Sequence, residues 1–272
     1  MISTKIIKNL AGERFSSIVD PCYIADFGFH TLDDITGGLY IDDFVVLAGP
    51  TGSGPGVFGS NIVLNVALQG VPVLAFVSRV SEKDFVKSLL DDMAYKKRGK
   101  LFEDLLSDPD ATGSIVKRLS ALPIYVSEAD DNERANGVPF NKVKDLIRDH
   151  VLTHQTSVIY IESLSAMGWG DNEILSLREF YREFYREYMK SDKDICFATV
   201  AGGEVANSGD GFGRLLNGEA IKGIGAKAVI FEPETGSAPL AVTAHMVTQA
   251  PVVPDMCRLR ISPTGSTFEE IS

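Results

Sequence analysis

Short, dominantly apolar runs recur along this chain at intervals too long for hairpins. They occupy residues 44–48, 73–77, 122–126, 157–161, 195–200 and 226–231. Runs without polar alternation predict strands buried on both faces, as in a parallel sheet. Between them the apolar spacing changes to that of helices. Residues 58–69 predict a helix that Gly70 ends. Ser81 predicts an N-cap, with Glu82, Asp84 and Lys87 on the polar side of the helix it opens. That helix and its successor are expected to run through Lys100 towards Leu106. Residues 140–152 predict an amphipathic helix and residues 174–190 a longer one. Residues 240–247 and 256–262 predict a closing antiparallel pair. The turn-rich stretch 107–113 and the polar stretch 128–137 are expected to be surface loops. Strands alternating with helices define an α/β fold whose mostly parallel central sheet has helices on both faces.

Ahead of this pattern, residues 1–26 form a lead-in arm or helix. Ile6, Ile7, Leu10, Phe15 and Ile18 give it an apolar stripe. It packs on its own domain or on a neighbouring subunit, and both readings stand. The rest, residues 27–272, reads as one domain: at 272 residues and 44% hydrophobic the chain can bury a large core. The formal net charge of −11 disfavours nucleic acid as a partner of the protein as a whole, because phosphate binding needs clustered Lys and Arg. The basic run Lys96-Lys97-Arg98-Gly99-Lys100 reads as a solvated helix end. No apolar run approaches the roughly 18 residues of a membrane span, and the N-terminus has no signal-peptide block. Cys22, Cys196 and Cys257 are widely spaced and read as reduced, mostly core residues. The resulting expectation is a cytoplasmic protein. His150 and His154 share a helix face, but no third ligand lies at a recognisable spacing, so no metal site is assigned.

The chemistry centres on Gly49-Pro50-Thr51-Gly52-Ser53-Gly54-Pro55-Gly56. Its spacing fits the phosphate-binding pattern G-x-x-x-x-G-K-[ST], but Pro55 stands at the lysine and Gly56 at the hydroxyl. The lysine reaches the β- and γ-phosphates and the hydroxyl holds magnesium, so both reactive groups are absent. The amides of Gly52, Ser53, Gly54 and Gly56 leave an anion-binding nest open as one reading. A Gly-rich turn kept for its geometry is the favoured one, because Pro55 removes a donor.

From Phe27-Gly28-Phe29-His30-Thr31-Leu32-Asp33-Asp34-Ile35-Thr36-Gly37-Gly38-Leu39 onward, the chain resembles the RecA-like ATPase domain of DnaB-type replicative helicases. The loop at 47–49, the strand at 73–78, the stretch 158–165 and Gly218-Glu219-Ala220-Ile221 continue the likeness, over roughly residues 27–262. The resemblance implies a RecA-like P-loop fold. It also implies positions for chemistry, and most depart from the family pattern. Arg79 stands where a glutamate base is expected, and a cation cannot accept a proton from water. Glu162 stands at the Walker B aspartate and Ala201 at the sensor glutamine. The basic finger would fall near residues 245–247, where no Arg or Lys occurs. No residue is therefore assigned as catalytic. ATP and Mg2+ are expected only if the loop still binds; otherwise no cofactor is expected.

Two further features have competing readings. Arg178, Arg182 and Arg186 repeat every four residues beside Glu179, Glu183 and Glu187, with Tyr185 among the aromatics. This is a core helix with a self-neutralising charged face, or a partner-binding helix joined by Trp169. The stretch 202–217 corresponds to the central DNA-gripping loops of the family; its candidates are Phe212, for stacking on a base, and Arg214. The leading expectation is a degenerate relative serving as an interaction or regulatory scaffold in replication or recombination. Its partners would be copies of itself or a ring ATPase of the helicase type. The alternatives are a divergent ATPase or helicase subunit, and a single-stranded DNA-binding accessory protein.

Overall fold

The computed structural model describes residues 22–168, 197–206, 211–215, 218–223, 225–234, 241–248 and 256–271. The expected lead-in up to residue 21, the helix at 174–190 with Arg178, Arg182, Tyr185 and Arg186, and Trp169 and Cys196 lie outside them.

In chain order the elements are β1 (Tyr23–Ala25), α1 (His30–Thr36), β2 (Leu39–Tyr40), β3 (Phe44–Ala48), α2 (Pro55–Leu68), β4 (Val73–Val77), α3 (Glu82–Arg98), α4 (Pro109–Ser120), β5 (Ile124–Glu128), α5 (Asp131–Asn136), β6 (Val138–Pro139), α6 (Phe140–His154), β7 (Val158–Ile161), β8 (Met167–Gly168), β9 (Ala198–Gly202), α7 (Gly218–Gly223), β10 (Lys227–Pro233), β11 (Ala241–Val247), β12 (Met256–Ile261) and β13 (Phe268–Glu270). The main sheet runs β13-β12-β11-β10-β3-β9-β7-β4-β5. From β10 to β5 neighbouring strands are parallel; β10 to β13 are antiparallel. The fold is thus α/β, with the expected parallel sheet and the antiparallel pair, to which β13 adds a strand.

The apolar runs divide between two cores, one on each face. Val45, Leu47, Val73, Ala75, Val77, Val158 and Tyr160 face α2 and α3. Phe44, Val46, Ala48, Leu74, Phe76, Ile159 and Ile161 face the other way, onto Val143, Ile147 and Val151 of α6. Alternate residues of one strand are needed on opposite faces, which is why these strands show no polar alternation. Phe29, Phe58, Phe231 and Phe268 form an aromatic cluster, with Phe29 and Phe58 stacked at 4.4 Å and Phe58 edge-on to Phe231 at 5.0 Å. Such pairs add about 0.5–1.5 kcal/mol each beyond burial.

Several expectations are corrected. The stretch 107–113 is not a loop: Asp108 caps α4 by accepting from the Ala111 amide, and Pro109 opens the helix. Nor is 128–137 a loop, because Asp130 and Glu133 form a reciprocal capping box that starts α5. The helix after Ser81 stops at Arg98, where Gly99 takes φ +66°. Cys22 is exposed rather than in the core, whereas Cys257 is buried, its thiol pushed up to about 12 by burial and by nearby Glu270. The basic run is also not wholly solvated: Lys96 reaches back to buried Asp92 (3.0 Å) and to Asn65 (2.6 Å). Among the described residues, no helix is long and apolar enough to cross a membrane.

Candidate functional site

The strands β3, β9, β7 and β4 are adjacent and parallel. Their carboxyl ends therefore deliver four loops to one rim, the usual place for a site in an open α/β sheet. There a cleft of about 490 Å3 is lined by the 49–56 loop, Arg79, Glu162, Ser163 and residues 202–205.

The loop after β3 is closed on itself. The Ser53 amide donates to the Pro50 carbonyl at 3.0 Å, and the Ser53 hydroxyl donates to the same oxygen at 2.8 Å. Ser53 is fully buried, so its amide is withdrawn from the anion nest that the spacing suggested. Gly54 caps α2 with φ +85°, and a Cβ there would lie 2.7 Å from Cζ of Phe268. Pro55 opens α2 without a donor. Thr51, Gly52 and Gly56 line the cleft beside them.

Glu162 follows β7 and points at the turn after β4. Its Oε2 accepts the amides of Ser78 and Arg79 at 2.8 Å each, and that of Val80 at 3.3 Å. On the far side of this turn, Arg134 donates to the Val80 carbonyl at 3.1 Å, and Glu128 accepts the Glu82 amide at 2.7 Å. The clamped turn presents Arg79 to the cleft. One guanidinium nitrogen donates to Glu204 at 2.6 Å and to Ser165 at 2.5 Å. Ser165 also donates to Glu204 at 2.6 Å and lies 2.9 Å from Ser163. The hydrogen bond from Ser165, then that from Arg79, hold the Glu204 carboxyl below its usual range. The cluster spans the ends of β4, β7 and β9, and its charges are satisfied internally.

The remaining expected residues lie elsewhere. Ala201 is fully buried in the core of the α6 face, and its neighbours Gly202 to Val205 line the cleft instead. Phe212 is 6% exposed in the same core, so its ring offers no face to a base. Arg214 is ion-paired to Glu232, which also takes His245 at 2.9 Å. Burial opposes ionisation of Glu232, but Arg214 and His245 outweigh it and hold the carboxyl below its ordinary value. Met246 and Val247, at the expected finger, are buried. Glu204 and Ser165 were not found from sequence; a glutamate after Gly202-Gly203 was the sole signal.

A parallel sheet carrying a cleft at this rim beside a glycine loop has the architecture of a RecA-like ATPase domain, which the structural neighbours show. Solved structures agree. One solved ATPase domain superposes with a TM-score of 0.72 at 14% identity, covering 100% of both chains. A DnaB-like replicative helicase, described with its interactions with primase, gives 0.72 at 12% identity over 100% of this chain and 67% of that one. A KaiC-like protein of Pyrococcus horikoshii gives 0.63 at 13% over 93% of this chain and 100% of its own. The family model of the DnaB-like helicase C-terminal domain matches residues 25–181, and the chain belongs to that family. Relatives include the replicative DNA helicase DnaB of Nostoc sp., 26% identical over 161 residues, which are 57% of this chain and 18% of that protein. The Synechocystis sp. DnaB is 30% identical over 103 residues, 37% of this chain and 12% of that protein. The chain spans less than a quarter of the length of the curated relatives it matches.

Proposed function

We propose that this DnaB-like domain is catalytically degenerate and serves as an interaction or regulatory scaffold in DNA replication or recombination. The observation that carries the reading is the Arg79–Ser165–Glu204 cluster, which sets an ion pair on the wall of the cleft where a catalytic base is expected. Glu162, the residue nearest in place to a magnesium-binding carboxylate, commits one oxygen to three backbone amides. The loop contributes Pro55 and Gly56 where hydrolysis calls for a lysine and a hydroxyl. An entering nucleotide would bring about four negative charges to a cleft lined by the two carboxylates Glu162 and Glu204 against the single cation Arg79. The partners of this scaffold are copies of itself or a helicase-type ring ATPase, which a domain of the same shape can join without adding an active site.

One observation favours a second reading, nucleotide binding without turnover: the cleft retains about 490 Å3, within the size range of small-molecule sites. Titration of ATP and ADP with Mg2+ by calorimetry, alongside a phosphate-release assay, separates the cases. The scaffold reading expects neither micromolar binding nor turnover. Micromolar binding without phosphate release supports the second reading, and binding with release sinks both. Light scattering, alone and with a replicative helicase, then reports which assembly forms.

A further inference from the structure

At the opposite margin of the sheet, β5 is an edge strand covered on one face by the end of α6. Here three rings meet. Tyr125 of β5 stacks on His154 at 4.3 Å with an interplanar angle of 24°, and lies edge-on to His150 at 5.4 Å. The imidazoles of His150 and His154, one helical turn apart, have centroids 5.1 Å from each other. His154 is exposed and His150 half-buried. Nδ1 of His150 is shielded from solvent and has no hydrogen-bond partner. A hydrated ion can therefore reach His150 only at its other ring nitrogen, Nε2.

We propose that His150 and His154 form an open, two-histidine site for a borderline divalent metal ion of the Zn2+ class, completed by water. A metal bonded to an imidazole nitrogen at about 2.0–2.1 Å sits about 3.2 Å from the ring centre. Two such rings with centroids 5.1 Å apart are close enough to share one ion, and if each turns a nitrogen to it the angle at the metal is about 105°, close to the tetrahedral angle that Zn2+ prefers. Position adds a second argument. The pair occupies the last turns of the 15-residue helix α6, which ends at His154. The backbone carbonyls there give the helix end a partial negative charge that favours a bound cation. Among the described residues, no third His, Cys, Asp or Glu joins the pair in a metal-ligating arrangement. The site is therefore open, and water supplies the remaining positions.

The test is calorimetric titration of ZnCl2 alone into the untagged 272-residue chain. One saturable site per chain is expected, and it should be weakened at least tenfold in His154→Ala. That exposed substitution leaves the fold intact, which a thermal melt verifies; His150→Ala should match it. His30→Ala, altering an exposed histidine on α1 that pairs with Asp34, should leave the titration unchanged. MgCl2, a hard cation preferring oxygen, should give no heat. Absence of a saturable site, unchanged affinity in His154→Ala, or loss of binding in His30→Ala overturns the proposal.

Discussion

Replacing Glu162 separates a structural carboxylate from a catalytic one. Its Oε2 takes two amides at 2.8 Å and a third at 3.3 Å from the turn that carries Arg79. Hydrogen bonds to a charged group contribute roughly 1.5–3 kcal/mol each when well formed. Partial exposure of the turn lets water replace part of that, and the longest bond adds little. Glu162→Ala is therefore expected to cost about 2–3 kcal/mol, seen in urea unfolding as a lower midpoint with unchanged slope. The melting temperature should fall by about 4–12 °C. Glu162→Gln keeps an oxygen acceptor and loses the charge, so about half the cost is expected. A carboxylate poised for a metal would behave otherwise: its removal relieves repulsion and leaves stability unchanged or raised. If Glu162→Ala lies within about 0.5 kcal/mol of the parent, the clamp argument is wrong.

The loop glycines should separate in the same unfolding assay. Gly52 and Gly54 have φ +87° and +85°, but a Cβ at Gly52 meets nothing within 4 Å while one at Gly54 lies 2.7 Å from Phe268. Gly52→Ala should cost about 1–2 kcal/mol of left-handed strain. Gly54→Ala adds about 1–3 kcal/mol for displacing the Phe268 ring, and equal losses would contradict the packing described. Arg79→Ala should raise the Glu204 titration part of the way back towards 4.5, read from its carboxyl carbon by NMR, because Ser165 still donates. A depressed folded pKa gives stability that is present above about pH 4.5 and lost as pH falls through the folded value. Both side chains are substantially exposed, so the pair contributes less than about 1 kcal/mol. An unmoved titration would refute the pairing.

The strands were the most legible part of the chain. Burial on both faces leaves no polar position in runs such as 44–48 and 73–77, and that signal is local. The two helices read as loops had local signals too. Asp108-Pro109 is a cap followed by a helix-opening proline, and Asp130 with Glu133 is a capping box. Their polar composition and Gly113 outweighed those signals. The shorter helix, α5, is held largely by its capping box, whereas α4 also packs Ile115 and Leu119 on the core. Phe212 was misjudged for the opposite reason. An aromatic in a glycine-rich stretch reads as a mobile loop tip, and only the packing of residues 211–215 on the α6-face core buried it.

By itself the sequence determined the fold class, the family and the presence of Pro55 and Gly56 in the glycine loop, because strand burial, glycine spacing and residue identity are properties of short segments. Tertiary structure decided which residues meet at the rim beside that loop. Glu162 meets the 78–80 amides from about 80 positions away. Arg79 meets Glu204 across 125 positions. Tyr125 meets His154 through the pairing of an edge strand with its covering helix. Such contacts exist only once parallel strands bring the ends of distant segments to one rim or one margin. Their energy depends on distance and burial, quantities that no local pattern of residues contains.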